Sequence, residues 1–186
     1  MASTLPPYIK YLSAIVLIFG ILYKYEIPTT DNKTFLLTKK STLQYNKSHV
    51  YQIITNVDRY ALWYPNVVRV EQSKPISSGS KKQVDGKYQL ITKIPLIGDI
   101  SSELTIHTKD RPKRFVYSVD SWLLEINSIE LKDNSNNINS TDIQWTVYTK
   151  RRSMLFQYLI LPFAKFYKNQ LVREALFTLM LQIRNL

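Results

Sequence analysis

The sequence predicts an α+β domain in which a curved antiparallel sheet closes over one long C-terminal helix. Two observations carry this. Residues 162–185 place Leu171, Val172, Ala175, Leu176, Leu179, Met180 and Ile183 on one face at 3.6-residue spacing, with Arg173, Glu174 and Arg184 roughly opposite. Residues 34–152 are mostly strand-like alternations of apolar and polar side chains. A wide apolar helical stripe needs a large apolar partner, and a one-sided antiparallel sheet supplies one. The helix is expected to open just after Pro162, whose missing N–H is tolerated in a first turn.

Upstream of the domain, residues 11–23 form an uncharged run of thirteen between Lys10 and Lys24. If Lys10 snorkels, the run lengthens to nineteen residues, 5–23, flanked by Tyr8, Tyr11, Tyr23 and Tyr25 at interfacial positions. The expectation is a membrane anchor in residues 1–26, a linker in 27–33 and the folded domain in 34–186. A cleaved signal peptide is the rival, but no small-residue cleavage pattern follows the run. Lys24, Lys33, Lys39 and Lys40 downstream outnumber Lys10 upstream, which predicts a single-pass membrane protein with a cytoplasmic domain. Glycosylation sequons at Asn32, Asn46 and Asn139 stand against that orientation.

In the domain, residues 34–43 read as a first strand. A helix follows, capped by Asn46 or Ser48 and buried through Val50, Ile53, Ile54 and Val57. A second short helix, with Asp58 as its N-cap, ends at Tyr64, because Pro65 disfavours the helical conformation before it. Residues 67–72 resume as strand and 77–80 are a turn. In residues 86–94 Tyr88, Leu90, Thr92 and Ile94 share a face; 95–98 turn the chain. Ile100, Ser102, Leu104 and Ile106 then point inward, leaving His107 on the wet side. After a turn at Arg111 and Pro112, Phe115, Tyr117, Val119 and Ser121 keep the inner pattern. Trp122, Leu124 and Ile126 shift the apolar parity, which predicts a bulge or strand break near Ser121. Residues 133–140 are a polar hairpin loop, and Ile143, Trp145, Val147 and Thr149 form the last inner face.

The 25 basic and 14 acidic residues give a net charge of +11, which favours anionic partners. With no cysteine and only His49 and His107, thiolate chemistry is excluded and a metal centre is not expected. No phosphate loop, nucleophile elbow or other cofactor motif is present, so neither a cofactor nor a catalytic residue is assigned. Lys109, Arg111, Lys113 and Arg114 surround a turn, and Lys150, Arg151 and Arg152 end a strand. These clusters are read as facing anionic lipid rather than nucleic acid. From Lys150 onward seven cations face Glu174 alone, and Phe177 and Leu181 lie off the buried stripe. Phe177, Leu181, Arg151 and Arg152 are therefore the expected membrane contacts.

One strand, two short helices, about six further strands and a long terminal helix, together with Asp58, Trp63 and Pro65 in the helical insertion, resemble the START-like (SRPBCC) helix-grip superfamily, in particular its polyketide-cyclase and lipid-transport branch. The resemblance covers residue 34 to the C-terminus. It implies a cavity between sheet and terminal helix that holds, and in some members moves, a hydrophobic ligand such as a lipid, sterol or isoprenoid; a minority of members cyclise or dehydrate ligands there. With inward parity, it makes Trp63, Tyr64, Tyr88, Leu90, Leu104, Tyr117, Trp145, Val147, Val172, Leu176 and Leu179 the candidate ligand-binding residues of a monomeric domain. The alternatives are an enzyme on the same fold and a membrane-tethered interaction scaffold whose cavity is filled by its own side chains.

Overall fold

The computed structural model describes residues 7–28, 31–72, 86–94, 97–135 and 139–184. The expected turn at 77–80 lies outside the described residues, as do parts of the linker, the turn at 95–98 and the loop at 133–140. The elements are α1 (Pro7–Lys24), β1 (Thr34–Leu43), α2 (Lys47–Thr55), a 3-10 turn (Val57–Arg59), α3 (Tyr60–Trp63), β2 (Val67–Gln72), β3 (Lys87–Ile94), β4 (Gly98–Asp110), β5 (Arg114–Val119), β6 (Glu125–Asp133), β7 (Thr141–Thr149) and α4 (Leu161–Arg184). The seven strands form one antiparallel sheet in the order β1-β7-β6-β5-β4-β3-β2. β1 reaches the far edge from β2 because α2 and α3 carry the chain across one end of the sheet.

The alternation in the sequence is reproduced. Leu90, Leu104, Ile106, Phe115, Tyr117, Ile143, Trp145 and Val147 all face one buried layer, against which Val172, Ala175, Leu176, Leu179 and Ile183 of α4 pack. Asn46 caps α2 by accepting from the Ser48 amide at 2.8 Å. Tyr64 is extended at ψ 122°, as the following Pro65 requires.

Several expectations are corrected. Among the described residues no helix is long and apolar enough to cross a membrane, which overturns the single-pass anchor. The physical reason is length: the 18 residues of α1 rise about 27 Å against a hydrocarbon core of about 30 Å, and Lys10 interrupts even that. α1 exposes Leu12, Val16 and Leu17 and is tied to the domain at its C-terminal end. There Tyr25 O accepts from Met154 N, Ile27 N donates to Arg152 O, and Glu26 bridges to Ser153.

The helical run at the C-terminus begins before Pro162. A π-helical turn, Phe156–Ile160, leads into α4, and Leu161 N–H donates to Phe156 O five residues back. This widening fits a proline that lacks a donor and would crowd the carbonyl four residues before it. Met180 is 39% exposed and so lies off the stripe it was assigned to. Asp58 sits in the 3-10 turn, and neither that turn nor α3 has a side-chain cap.

The chain does break after Val119, and Leu124 adopts a positive φ of 49°. Beyond the break, however, the inner residues are Glu125, Asn127, Ile129 and Leu131, with Leu124 and Ile126 only half-buried. The parity never changed. The apolar pattern shifts because a carboxylate and an amide occupy two inward positions.

Candidate functional site

Glu125 belongs to a pocket between the β2–β5 half of the sheet and the first half of α4. Its walls are Val67, Leu90, Ile94, Ile100, Val119 and Leu171, with Tyr64 and Pro65 at the end of α3, and its volume is about 120 Å³. Trp122 and Tyr167 are both lining and exposed, with ring centroids 6.5 Å apart. Lys168 and Glu125 also line it. Lys168 occupies the buried stripe of α4, four residues after Ala164 and four before Val172, so helical periodicity turns it inward.

Lys168 Nζ lies 2.7 Å from Glu125 Oε2, and Ser121 Oγ donates to Glu125 Oε1 at 3.0 Å. Burial alone would depress the lysine pKa. The adjacent Glu125 carboxylate outweighs it, and the ammonium is held well above the ordinary lysine range. Tyr64 is pushed up by burial, partly opposed by Lys168. Both groups thus keep their protons at neutral pH, which makes them fixed hydrogen-bond donors rather than proton-transfer groups, since acid–base catalysis works best with a pKa near the operating pH.

Deeper in, the space is filled by rings. Trp63 packs edge-on against Tyr60 at 4.8 Å and Trp145 at 6.2 Å, and Phe115 lies against Tyr117 at 5.3 Å. Trp145 Nε1 donates to Asn127 Oδ1 at 3.0 Å, and Tyr60 donates to Ile54 O at 2.9 Å. Among the described residues the buried Trp63 indole N–H has no hydrogen-bond partner.

Of the residues expected to bind ligand, Tyr64 and Leu90 line the pocket. Trp63, Leu104, Tyr117, Trp145, Val147, Val172, Leu176 and Leu179 lie in the packed core, and Tyr88 is half-buried against it. Phe177 and Leu181 are exposed on the outer side of α4. Arg151 is half-buried and donates through Nε to Trp122 O at 3.1 Å, while Arg152 is committed to Glu26 at 2.6 Å and Asn32 at 2.7 Å. Sequence reasoning missed Glu125 and Lys168. The signal was present, as charged residues at inward positions of a strand and a helical stripe. Among the described residues no cluster of three or more acidic or histidine side chains is arranged to hold a metal ion. His107 is exposed and hydrogen-bonded to Ser118 at 2.8 Å.

No family model and no curated protein matches the sequence. The backbone, in contrast, superposes on a START superfamily protein from Mycobacterium smegmatis with a TM-score of 0.63 at 9% identity, covering 81% of this chain and 98% of that one. The fold is the START-like helix grip. A protein from Nitrosomonas europaea matches with a TM-score of 0.60 at 12% identity over 85% of this chain and 97% of that one. The di-domain ARO/CYC protein StfQ of the steffimycin biosynthetic pathway matches with a TM-score of 0.58 at 11% identity, over 81% of this chain and 50% of StfQ. In helix-grip terms, the pocket lies where the terminal helix faces the strands, and its small volume reflects the aromatic cluster behind it.

Proposed function

We propose that this START-like domain binds a small amphipathic molecule in the pocket under α4, its apolar body against Leu90, Val119 and Leu171 and an oxygen acceptor on Lys168. The single observation that carries this is a buried ammonium lining an otherwise largely apolar pocket. Glu125 takes one of its three N–H groups at 2.7 Å, and a carbonyl or hydroxyl oxygen of a ligand would engage another. The likeness to a START superfamily protein and to StfQ supports an apolar ligand on fold grounds. Size narrows the class. At about 120 Å³ the pocket is under half the ~300 Å³ at which binding sites for drug-sized ligands commonly begin. The resting pocket therefore takes a short chain or a single ring, and a sterol or a full lipid would require α4 to swing outward. The same small volume favours, as a second reading, a scaffold filled by its own side chains.

The outer side of α4 extends the proposal to an anionic membrane surface as the ligand's source. Phe163, Phe166, Phe177 and Leu181 are exposed there beside Lys165, Arg173 and Arg184, a mixture suited to lying at a charged lipid interface. Native mass spectrometry of the full chain after exposure to a total lipid extract tests the ligand. We expect a small amphipathic adduct that is lost in Lys168→Met; a bare chain under conditions that preserve the fold would favour the scaffold.

A further inference from the structure

A cavity larger than the pocket under α4 lies elsewhere. It is a groove of about 450 Å³ between α2 and the β4–β5 turn, lined by Ser48, Gln52, Thr55 and Asn56 with Tyr51 at its base on one side and by Lys109, Arg111 and Pro112 on the other. The α2 residues fall at spacings of three, four, seven and eight, so a single polar face of the helix forms the wall. Helix rise makes that wall about 12 Å long from Ser48 to Asn56. No carboxylate lines the groove. Asp110 stands between the two cations in sequence but is not among the residues that line the groove.

Among the described residues, neither Lys109 nor Arg111 takes part in a salt bridge, whereas Arg114 nearby is paired with Glu130 and Lys47 with Asp133. Both walls are fixed by the core. Tyr51, Ile53 and Ile54 anchor α2, and Phe115 anchors the hairpin from the start of β5. Thr55 donates its hydroxyl proton to Tyr51 O at 2.8 Å, and Asn56 makes no side-chain cap bond. The groove thus sets two uncommitted cations against hydroxyl and amide groups, in a chain of net charge +11.

We infer that this groove binds a small phosphate monoester. A cleft lined by charge of one sign concentrates its field and gathers counter-ions. The Arg111 guanidinium offers a planar fork suited to two phosphate oxygens, and Lys109 adds a point charge. The opposite wall is polar rather than apolar, so the body carried by the phosphate is hydroxylated, of the size of a glycerol or a sugar, and a wall of about 12 Å is too short to follow a nucleic-acid strand through several phosphates. The site is separate from the pocket under α4 and stands or falls independently of it.

Glycerol 3-phosphate is the probe, titrated into the full chain by calorimetry and by amide chemical shifts. We expect saturable binding, with shifts confined to α2 and residues 109–112, and none with glycerol. Lys109→Ala, Arg111→Ala should weaken binding at least about tenfold, because charge-assisted hydrogen bonds contribute more than neutral ones. Lys40→Ala, Lys132→Ala removes the same charge from β1 and β6, from residues that do not line the groove, and should change affinity less than about twofold if the groove, rather than overall charge, binds. Gln52→Glu, which adds one exposed carboxylate to the groove, should also weaken binding and covers the case in which the double variant is unstable. Displacement of the probe by phosphatidic-acid vesicles would assign the phosphate to a lipid headgroup, and retention would assign it to a free metabolite; either supports the site. Absence of saturable binding, or equal weakening in the two double variants, would overturn it.

Discussion

Lys168 Nζ and Glu125 Oε2 meet at 2.7 Å with side chains only 6% and 4% exposed. A charge pair so dry is held by its geometry, since each ion lost its hydration and, among the described residues, is compensated by the partner and, for Glu125, by Ser121 at 3.0 Å. Lys168→Met should therefore cost roughly 3–5 kcal/mol, because it strands a buried carboxylate, and Glu125→Leu a similar amount. The double variant should recover most of the loss. Urea unfolding of the four proteins checks this, and strictly additive losses would mean that the pair is not coupled.

Alkaline pH should act through the same region. Tyr60, Tyr64 and Tyr117 are raised first of all by burial, and Lys168 is raised by Glu125 against the opposing effect of burial. A folded-state pKa above the unfolded one means that the native chain holds protons the unfolded chain releases. That stabilisation is complete below the unfolded values, about 10 for tyrosine and 10.4 for lysine, and is lost as pH climbs through the raised native ones. Stability should hold up to about pH 10 and then fall steeply, with tyrosinate absorbance appearing together with unfolding. Three buried tyrosines ionising in the folded protein near pH 10 would contradict the burial described here.

Trp63 was a candidate ligand-binding residue on the strength of the resemblance, and in the fold it packs among Tyr60, Tyr64 and Trp145. Trp63→Ala should cost about 3–5 kcal/mol as a core truncation. Trp63→Phe should cost less than half of that, because the buried N–H without a partner disappears with the indole. Thermal or urea unfolding compares the two. A Trp63→Phe loss as large as that of Trp63→Ala would mean that the indole N–H is satisfied in solution.

What was legible in the sequence follows from where pattern and environment agree. Strand parity put Leu90, Leu104, Tyr117, Trp145 and Val147 inward, and helical period put Val172, Leu176 and Leu179 under the sheet, because apolar side chains report burial directly. Glu125 and Lys168 were illegible by the same rule. Each is favourable inside only because the other is there, and no local pattern records a partner 43 residues away in the chain. The apparent parity shift at Trp122, Leu124 and Ile126 was the trace of that pair, read as backbone geometry when its cause was buried charge. The apolar run of α1 was misread for a different reason: the span of nineteen residues counted Lys10 as snorkelling, and the helix that forms, Pro7–Lys24, is not long and apolar enough to cross a membrane.

The outer side of α4 distinguishes two places where lipid would touch. Phe177 and Leu181, singled out from the sequence, are 57% and 41% exposed, but Phe163 and Phe166 nearer the pocket are more exposed, at 74% and 67%. Those two stand within one turn of Tyr167, which lines the pocket, so a membrane contacting them would lie beside the ligand's entrance. Full burial of an aromatic side chain contributes about 1.5–3 kcal/mol, and inserting two part-exposed phenylalanines should change vesicle partitioning at least about tenfold. Flotation of the full chain with anionic liposomes should show Phe163→Ser, Phe166→Ser as the weaker binder and Phe177→Ser, Leu181→Ser as intermediate. Neutral vesicles should reduce binding of all three proteins, because Lys165, Arg173 and Arg184 then find no anionic partner. Equal flotation of the parent and both folded variants would remove α4 from the membrane contact and leave the exposed apolar side chains of α1 to account for any binding.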